Sequence, residues 1–376
     1  MSQAKVLIAS VLKPVNDVRA YQKIGRSLAT AGYEVHIAGY AVDVTAEEEN
    51  ITFHPIFRGR RLSLKRVLVG FRLLYLSLRL RPNVLVIEAF ELAWVCFLIK
   101  ILCNIKLIID FRENYSKNVR YQSVYPEPLK WFILMGTRFM QAMCRLFVDH
   151  YWLAERSYAE ELRFTREKAT VIENKALVHP LPVIEDPGFQ RGLHFGLVGT
   201  FNEHYGTLQG MQFIQKLQQV NPDIQLSLVG YCSDEAYRKN LLVANQKMSA
   251  NHFQVESRPI PHKVIEGKVR HLDCLLLPYL PNPSTERCIP TKFFEALALR
   301  LPMIIQKNPF WEAYLKPYQA AIFINFQEVK APKTILQKLL THDFYPQEIP
   351  SEAYSWETEA EKVKESLREI LKAHTT

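Results

Sequence analysis

Two patterns of apolar and polar positions alternate along this chain. Short apolar runs recur at 6–9, 35–38, 83–88, 106–110, 194–199, 224–230, 254–260, 272–277, 303–305 and 321–324, and each predicts a strand. Stretches with helical spacing fill many of the intervals. They cover 18–31, closed by Gly32, then 62–80 and 131–151, a helix entered at Pro290, and a terminal helix from about 355 to 373 with Ser355 as N-cap. Strand, helix, strand in this rhythm predicts parallel α/β sheets covered on both faces. Segment 175–192 interrupts it with Pro180, Pro182, Pro187, Gly188 and Gly192, a linker composition that places a domain boundary there.

Two helices carry more than a core stripe. Between 58 and 81 stand Arg58, Arg60, Arg61, Lys65, Arg66, Arg72, Arg79 and Arg81, with no acid. Lys65, Arg72 and Arg79 recur seven apart on one stripe, among leucine, valine and aromatic side chains. The pattern suits a helix lying on an anionic membrane surface, and it also suits a core helix with a basic solvated edge. The 131–151 helix repeats it with Lys130, Arg138, Arg145, Met135, Met140 and Met143. A core helix is its favoured reading; beside the first helix it would complete a lipid-facing surface.

The 376 residues, 48% hydrophobic and 23% charged, are enough for two domains with substantial cores. A net charge of +9 implies an acidic partner, a nucleotide or an anionic membrane. Nucleic acid is not expected, since no recognition motif is present. Six cysteines without a C-x-x-C pair argue against a disulfide framework or a zinc site. The first strand begins too early for a signal peptide, and no run of about 18 apolar residues marks a membrane span. A cytoplasmic protein is expected, peripheral to the inner face of the membrane where it meets lipid.

The most informative stretch is 278–302. Its loop follows the 272–277 run, at the carboxyl end of a parallel strand, where ligands bind in such sheets. Pro290, followed by Thr291, turns backbone N–H groups and the positive end of the helix dipole toward that space. Lys292 in the first turn is unfavourable for the dipole unless an anion accompanies it. Glu295, one turn on, can accept hydrogen bonds from two ribose hydroxyls. These residues read as a nucleotide-diphosphate site; the alternative is a surface helix with a solvated lysine and glutamate.

This stretch resembles the donor segment of GT-B glycosyltransferases, particularly the retaining family 4 (glycosyltransferase group 1) enzymes, in which a glutamate at the place of Glu295 holds the nucleotide ribose. A second family glutamate stands eight positions earlier, where this chain has Arg287 beside Glu286. The resemblance extends over nearly the whole chain through short motifs in the same order. His194-Phe195-Gly196-Leu197-Val198-Gly199, followed by Thr200, resembles the strand and loop that approach the donor diphosphate, and Gly230-Tyr231 a nucleotide-facing turn. Family members carry an arginine after the first glycine and a lysine before a later one; here Thr200 and Tyr205 stand there.

On the acceptor side, Asp17-Val18-Arg19 resembles a family D-x-R sequence, the alternative being an N-cap aspartate with a solvated arginine. Asp110-Phe111-Arg112-Glu113 resembles the family's D-x-H-E or D-x-R-D segment near the reacting sugar. Arg112 cannot serve as a base near neutral pH, so the role implied for it is electrostatic. Glu88 and Glu91 are further carboxylates for acceptor activation, with cap or ion-pair roles as alternatives.

The resemblance implies an α/β chain of GT-B fold, with two Rossmann-like domains facing one another across a cleft. The acceptor-binding domain would comprise 1–177 and 355–376, its terminal helix crossing back, and the nucleotide-sugar-binding domain 190–354. The implied reaction moves a hexose from a UDP- or GDP-linked sugar to a glycan acceptor with retention, in surface polysaccharide or glycoconjugate synthesis. The basic helices favour a lipid-linked acceptor. Lys292, the Pro290 helix end and Gly199 would stabilise the departing diphosphate. No metal or other cofactor is expected, because the chain lacks a D-x-D sequence. Thr200, Tyr205 and Arg287 motivate one rival, an inactive GT-B scaffold that binds a partner or glycan; a GT-B sugar-nucleotide epimerase is a further alternative.

Overall fold

The early apolar runs assemble into a seven-stranded parallel sheet. Its strands are β1 (Lys5–Pro14), β2 (Glu34–Tyr40), β3 (Ile51–Phe57), β4 (Val84–Ile87), β5 (Lys106–Phe111), β6 (His150–Leu153) and β7 (Ala169–Val171), in the order β3-β2-β1-β4-β5-β6-β7. Its central strands lack polar alternation because both faces are covered, and Val6 to Ala9 and Val84 to Ile87 are all buried. β3 is missing from the predicted strands for the opposite reason. It lies at the sheet edge, where Thr52 and Pro55 can be exposed and the apolar run is broken. The computed structural model describes residues 3–42, 48–59, 66, 68–88, 92–121, 126–177, 193–248 and 251–372.

The first helix departs from expectation. Val18–Gly25 is a π-helix that runs into α1 (Arg26–Thr30). A π turn takes more than four residues, so Arg19 and Lys23 leave it on similar sides, and both are buried. The next helices are α2 (Leu68–Leu80), α3 (Ala93–Cys103), α4 (Tyr115–Tyr121), α5 (Glu127–Phe147) and α6 (Arg156–Glu161). α3 is apolar nearly all round and so presents no stripe for a sequence reading to find. α5 begins and ends earlier than the 131–151 prediction, because Val148 is extended and leads into β6. Nor is α5 a core helix: only Cys144 and Phe147 are buried, and its other apolar side chains lie at or near the surface. For the predicted 62–80 helix, Lys65 lies outside the described residues.

The second sheet has six parallel strands, β8 (His194–Thr200), β9 (Gln225–Tyr231), β10 (Asn251–Glu256), β11 (Cys274–Leu277), β12 (Met303–Gln306) and β13 (Ala321–Ile324), in the order β10-β9-β8-β11-β12-β13. β10 starts and ends earlier than the predicted 254–260, with Pro259 and Pro261 beyond its end. The helices are α7 (Thr207–Gln218), α8 (Glu235–Asn245), α9 (His262–Val269), α10 (Thr291–Ala298), α11 (Pro309–Leu315) and α12 (Pro332–Thr341).

A final helix, α13 (Trp356–Lys372), belongs to the first sheet's core, where Val363 and Leu367 join Val6, Ile24 and Trp152. Trp356 Nε1 donates to Ser27 Oγ at 3.0 Å, and Trp152 Nε1 to Ser366 Oγ at 3.0 Å. Buried Glu359 takes Lys175 Nζ at 2.7 Å and the Glu173 backbone N–H at 2.9 Å, so this charge is paired rather than stranded. The chain accordingly divides into Met1–Leu177 with Trp356–Thr376, and Val178–Ser355. Among the described residues no helix is long and apolar enough to cross a membrane.

Candidate active site

Both sheets reverse their strand order beside the first strand of their unit, between β1 and β4 and between β8 and β11. The carboxyl ends of strands flanking such a reversal open a crevice, because successive connections leave toward opposite faces. Each unit carries a cluster of candidate residues there.

In the first unit the cluster is ionic and largely buried. Arg19 is held by both oxygens of Asp110, Nε to Oδ2 at 2.8 Å and Nη2 to Oδ1 at 2.7 Å. It is buried rather than solvated. Arg112, two residues beyond Asp110, donates Nε to Asp110 Oδ2 at 3.2 Å, Nη1 to Asp17 Oδ1 at 2.7 Å and Nη2 to Glu88 Oε1. Asp17 also caps the π-helix, accepting the N–H groups of Arg19 and Ala20. Three loops that follow β1, β4 and β5 thus meet on one guanidinium, whose planar fork suits several carboxylates at once.

Three carboxyls face two guanidiniums here, with Lys13 adding a weaker positive field at Asp17 and Glu88. Burial, reinforced by Asp17 and Asp110 and opposed by Arg112, pushes the Glu88 carboxyl up to about 7. For Asp110 and Asp17 burial acts in the same direction, but the arginines outweigh it and hold both below the ordinary range. Glu88 Oε2 is buried with no hydrogen-bond partner among the described residues. A carboxyl poised near neutrality can hold or release a proton at physiological pH. Tyr115, to which the sequence reading gives no role, donates its hydroxyl to the Glu88 carbonyl at 2.8 Å and fixes the end of β4. Glu113 is exposed and accepts Asn118 Nδ2 at 2.8 Å, while Glu91 lies outside the described residues.

In the second unit the cluster is built on close backbone approach. Gly199 near the end of β8 has φ +111°, and a Cβ there would stand 3.6 Å from Lys292 Cε. Behind it, a Cβ on Gly230 would fall 1.8 Å from the Gly199 carbonyl oxygen, so only glycine fits. Thr200 and Tyr231 pair in register at the ends of β8 and β9. The loops after β8 and β11 are strapped together: Leu280 N–H donates to His204 O at 2.9 Å, and the Tyr205 and Tyr279 rings lie 5.3 Å apart. Tyr205 is therefore an aromatic partner of the β11 loop, at a place where the resemblance leads one to expect a lysine.

Pro290 caps α10 with extended backbone and without a side-chain hydrogen bond, and Thr291 and Lys292 form the helix's first turn. Lys292 Nζ lies 2.6 Å from Glu295 Oε2, and both side chains are mostly buried. The sequence reading gave these residues to a phosphate and a ribose; in the structure they neutralise one another. Trp311 supports the helix, packing its ring 5.7 Å from Phe293 and donating Nε1 to Cys288 O at 2.8 Å. Arg287 lies over the Phe310 ring, 6.0 Å from its centroid. Among the described residues no group of three or more His, Cys, Asp or Glu side chains is arranged to hold a metal ion.

On the basic stripe of α2, Arg72 and Arg79 are both exposed, and Arg72 donates Nη1 to Ile56 O at 2.8 Å, tying α2 to β3.

No family model and no curated protein matches this sequence. Solved structures do match over the whole chain. A sucrose-phosphate synthase from Thermosynechococcus elongatus is 15% identical with a TM-score of 0.73, over 99% of this chain and 100% of that one. Anabaena HepE, solved in complex with UDP-glucose, is 12% identical with a TM-score of 0.65, over 97% and 99%. A Listeria monocytogenes protein described as a UDP-N-acetylglucosamine 2-epimerase is 13% identical with a TM-score of 0.62, over 99% and 98%. With two parallel Rossmann-like sheets and a terminal helix returned to the first of them, this chain has the GT-B fold of those structures.

Proposed function

We propose that this protein is a metal-independent glycosyltransferase that moves a hexose from a nucleotide-diphosphate sugar to a lipid-linked glycan, with retention, in surface polysaccharide or glycoconjugate synthesis. The observation that carries the reading is the Lys292–Glu295 pair in the first turns of α10, beside Gly199 at the strand-order reversal of the second sheet. A cation and a carboxylate held at a helix start, next to a strand end where glycine lets a ligand come close, suit a diphosphate and a ribose. That HepE, a protein of the same fold, was solved with UDP-glucose favours uridine as the base.

On donor binding the diphosphate replaces Glu295 as the partner of Lys292, and the released Glu295 accepts the ribose hydroxyls. The α10 dipole and Lys292 then offset the charge that grows on the leaving diphosphate, which is the largest contribution such a site can make. In the first unit Arg112 organises Asp17, Glu88 and Asp110, and Glu88 supplies a carboxyl able to exchange a proton with an acceptor hydroxyl near neutral pH. The basic residues of α2 favour a lipid-borne acceptor.

The decisive experiment is a thermal-shift screen with UDP, GDP, ADP, dTDP and CMP, followed by donor turnover with and without acceptor. A rise in midpoint with one nucleoside diphosphate, lost in Lys292→Ala, supports the donor site. No shift with any nucleotide would overturn it. The epimerase reading, favoured by the Listeria protein of the same fold, requires conversion of UDP-N-acetylglucosamine to its C2 epimer, or its hydrolysis to UDP and free sugar, without acceptor. The scaffold reading, favoured by Tyr205 packing on Tyr279, requires an intact donor under all conditions.

A further inference from the structure

The first unit leaves an extensive apolar surface on three helices. Phe71 and Tyr75 on α2, Ile101 and Leu102 on α3, and Phe132 and Phe139 on α5 are all between 56% and 68% exposed. Side chains of this size are individually unremarkable at a surface, but a contiguous group marks an interaction site. Here the three helices that carry them adjoin one another. Gly70 lets α2 lie directly on Trp94 of α3, since a Cβ there would stand 2.4 Å from the indole ring. Phe71 and Trp94 then pack edge to face at 5.4 Å, and Phe97 of α3 meets Phe147 of α5 at 5.4 Å.

The charge of these helices says what covers the face. α2, α3 and α5 carry Arg72, Arg79, Lys100, Lys130, Arg138 and Arg145; Lys100 pairs with Asp149 and Lys130 with Glu127, which leaves the positive excess on Arg72, Arg79, Arg138 and Arg145. Aromatic and leucine side chains within a basic field match the headgroup and acyl boundary of an anionic lipid leaflet. A second copy of the chain matches poorly, because an isologous contact would set this basic field against itself. No described helix is long enough to cross a bilayer, so the helices would lie along it.

We propose that the joined faces of α2, α3 and α5 dock the protein on an anionic phospholipid membrane by inserting apolar side chains, with the basic residues selecting the lipid charge. α3 is the central element of the surface, and no charge pattern in the sequence pointed to it. The inference deepens the proposed function and rests on it only for what docking brings within reach, a lipid-linked acceptor; vesicle binding itself needs neither donor nor acceptor.

The test is co-sedimentation of the full chain with vesicles of phosphatidylcholine alone or mixed with phosphatidylglycerol. The expected result is partitioning onto the mixed vesicles at least about tenfold stronger, with a blue shift of tryptophan fluorescence. The combined variant Ile101→Ser, Leu102→Ser, Phe132→Ser, Phe139→Ser should lose at least about tenfold in partitioning, while its thermal midpoint and nucleotide response stay those of the parent. Failure of the parent to bind, or undiminished binding by the variant, would overturn the proposal. So would a parent dimer that the same substitutions convert to monomer, which would assign the face to a second copy. Loss of nucleotide response in Lys292→Ala with vesicle binding intact would leave it standing; absence of any nucleotide response in the parent, with vesicle binding intact, would remove only the donor site.

Discussion

Lys292 and Glu295 are each other's counter-ion, with Nζ and Oε2 2.6 Å apart across the first turns of α10. A lysine at a helix N-terminus opposes the dipole, and the glutamate compensates for it locally. The proposed donor must therefore compete with Glu295 for the ammonium group before the carboxylate is available to a ribose.

That competition separates two contributions to binding. Glu295→Ala is expected to weaken UDP binding roughly tenfold, by removing the ribose acceptor, and to tighten pyrophosphate binding, by removing the rival of the phosphates. Titration calorimetry with both ligands checks this. A variant weakened equally toward UDP and pyrophosphate would place Glu295 at the phosphates instead.

Arg112 should matter for stability before it matters for chemistry. Its three donor nitrogens serve Asp17, Glu88 and Asp110, so Arg112→Met leaves carboxylates crowded together in a buried place. A loss of about 3–5 kcal/mol is expected in denaturant unfolding. A loss below about 1 kcal/mol would mean that solvent reaches the cluster and screens it.

Glu88 gives the cluster a pH signature. Its carboxyl is raised to about 7 in the folded chain from an unfolded value of 4.5, so the folded state holds this proton more tightly. The stability it contributes is complete below the unfolded value and is lost as pH rises through the folded one. Relative to the parent, Glu88→Gln should therefore gain stability between pH 4.5 and pH 7, by up to about 3 kcal/mol. Melting curves at several pH values would show the gain; parallel profiles for parent and variant would mean that Glu88 is ionised throughout.

Gly230 tests the backbone contact under the donor site. Gly230→Ala sets a methyl group against the Gly199 carbonyl oxygen, which backbone on both sides prevents from yielding. Loss of at least about 2 kcal/mol and of the nucleotide-induced thermal shift are expected. Retention of both would show that β8 and β9 can separate at their ends.

Much of the fold could be read from the sequence because buried parallel strands are local apolar runs. β4, β8, β11, β12 and β13 lie within a few residues of their predicted places, and the loops at their carboxyl ends hold the candidate residues. The Lys292–Glu295 pair was also within reach, since residues three apart on a helix share a face. Edge strand β3 and the apolar helix α3 escaped because each lacks the regular alternation that would mark it.

The sequence by itself determined where most of the strands lie, that the candidate residues gather at their carboxyl ends, and that the 62–80 and 131–151 stretches are amphipathic and basic. Only the tertiary structure decided what those features face. Arg19 and Asp110 are 91 positions apart, and they meet because β1, β4 and β5 are neighbours in the sheet. Residue spacing carries no record of strand order, so the same arginine reads equally well as solvated or buried. α5 shows the same limit. A helical stripe states that an apolar face exists, not what covers it, and packing leaves this one open except at Cys144 and Phe147.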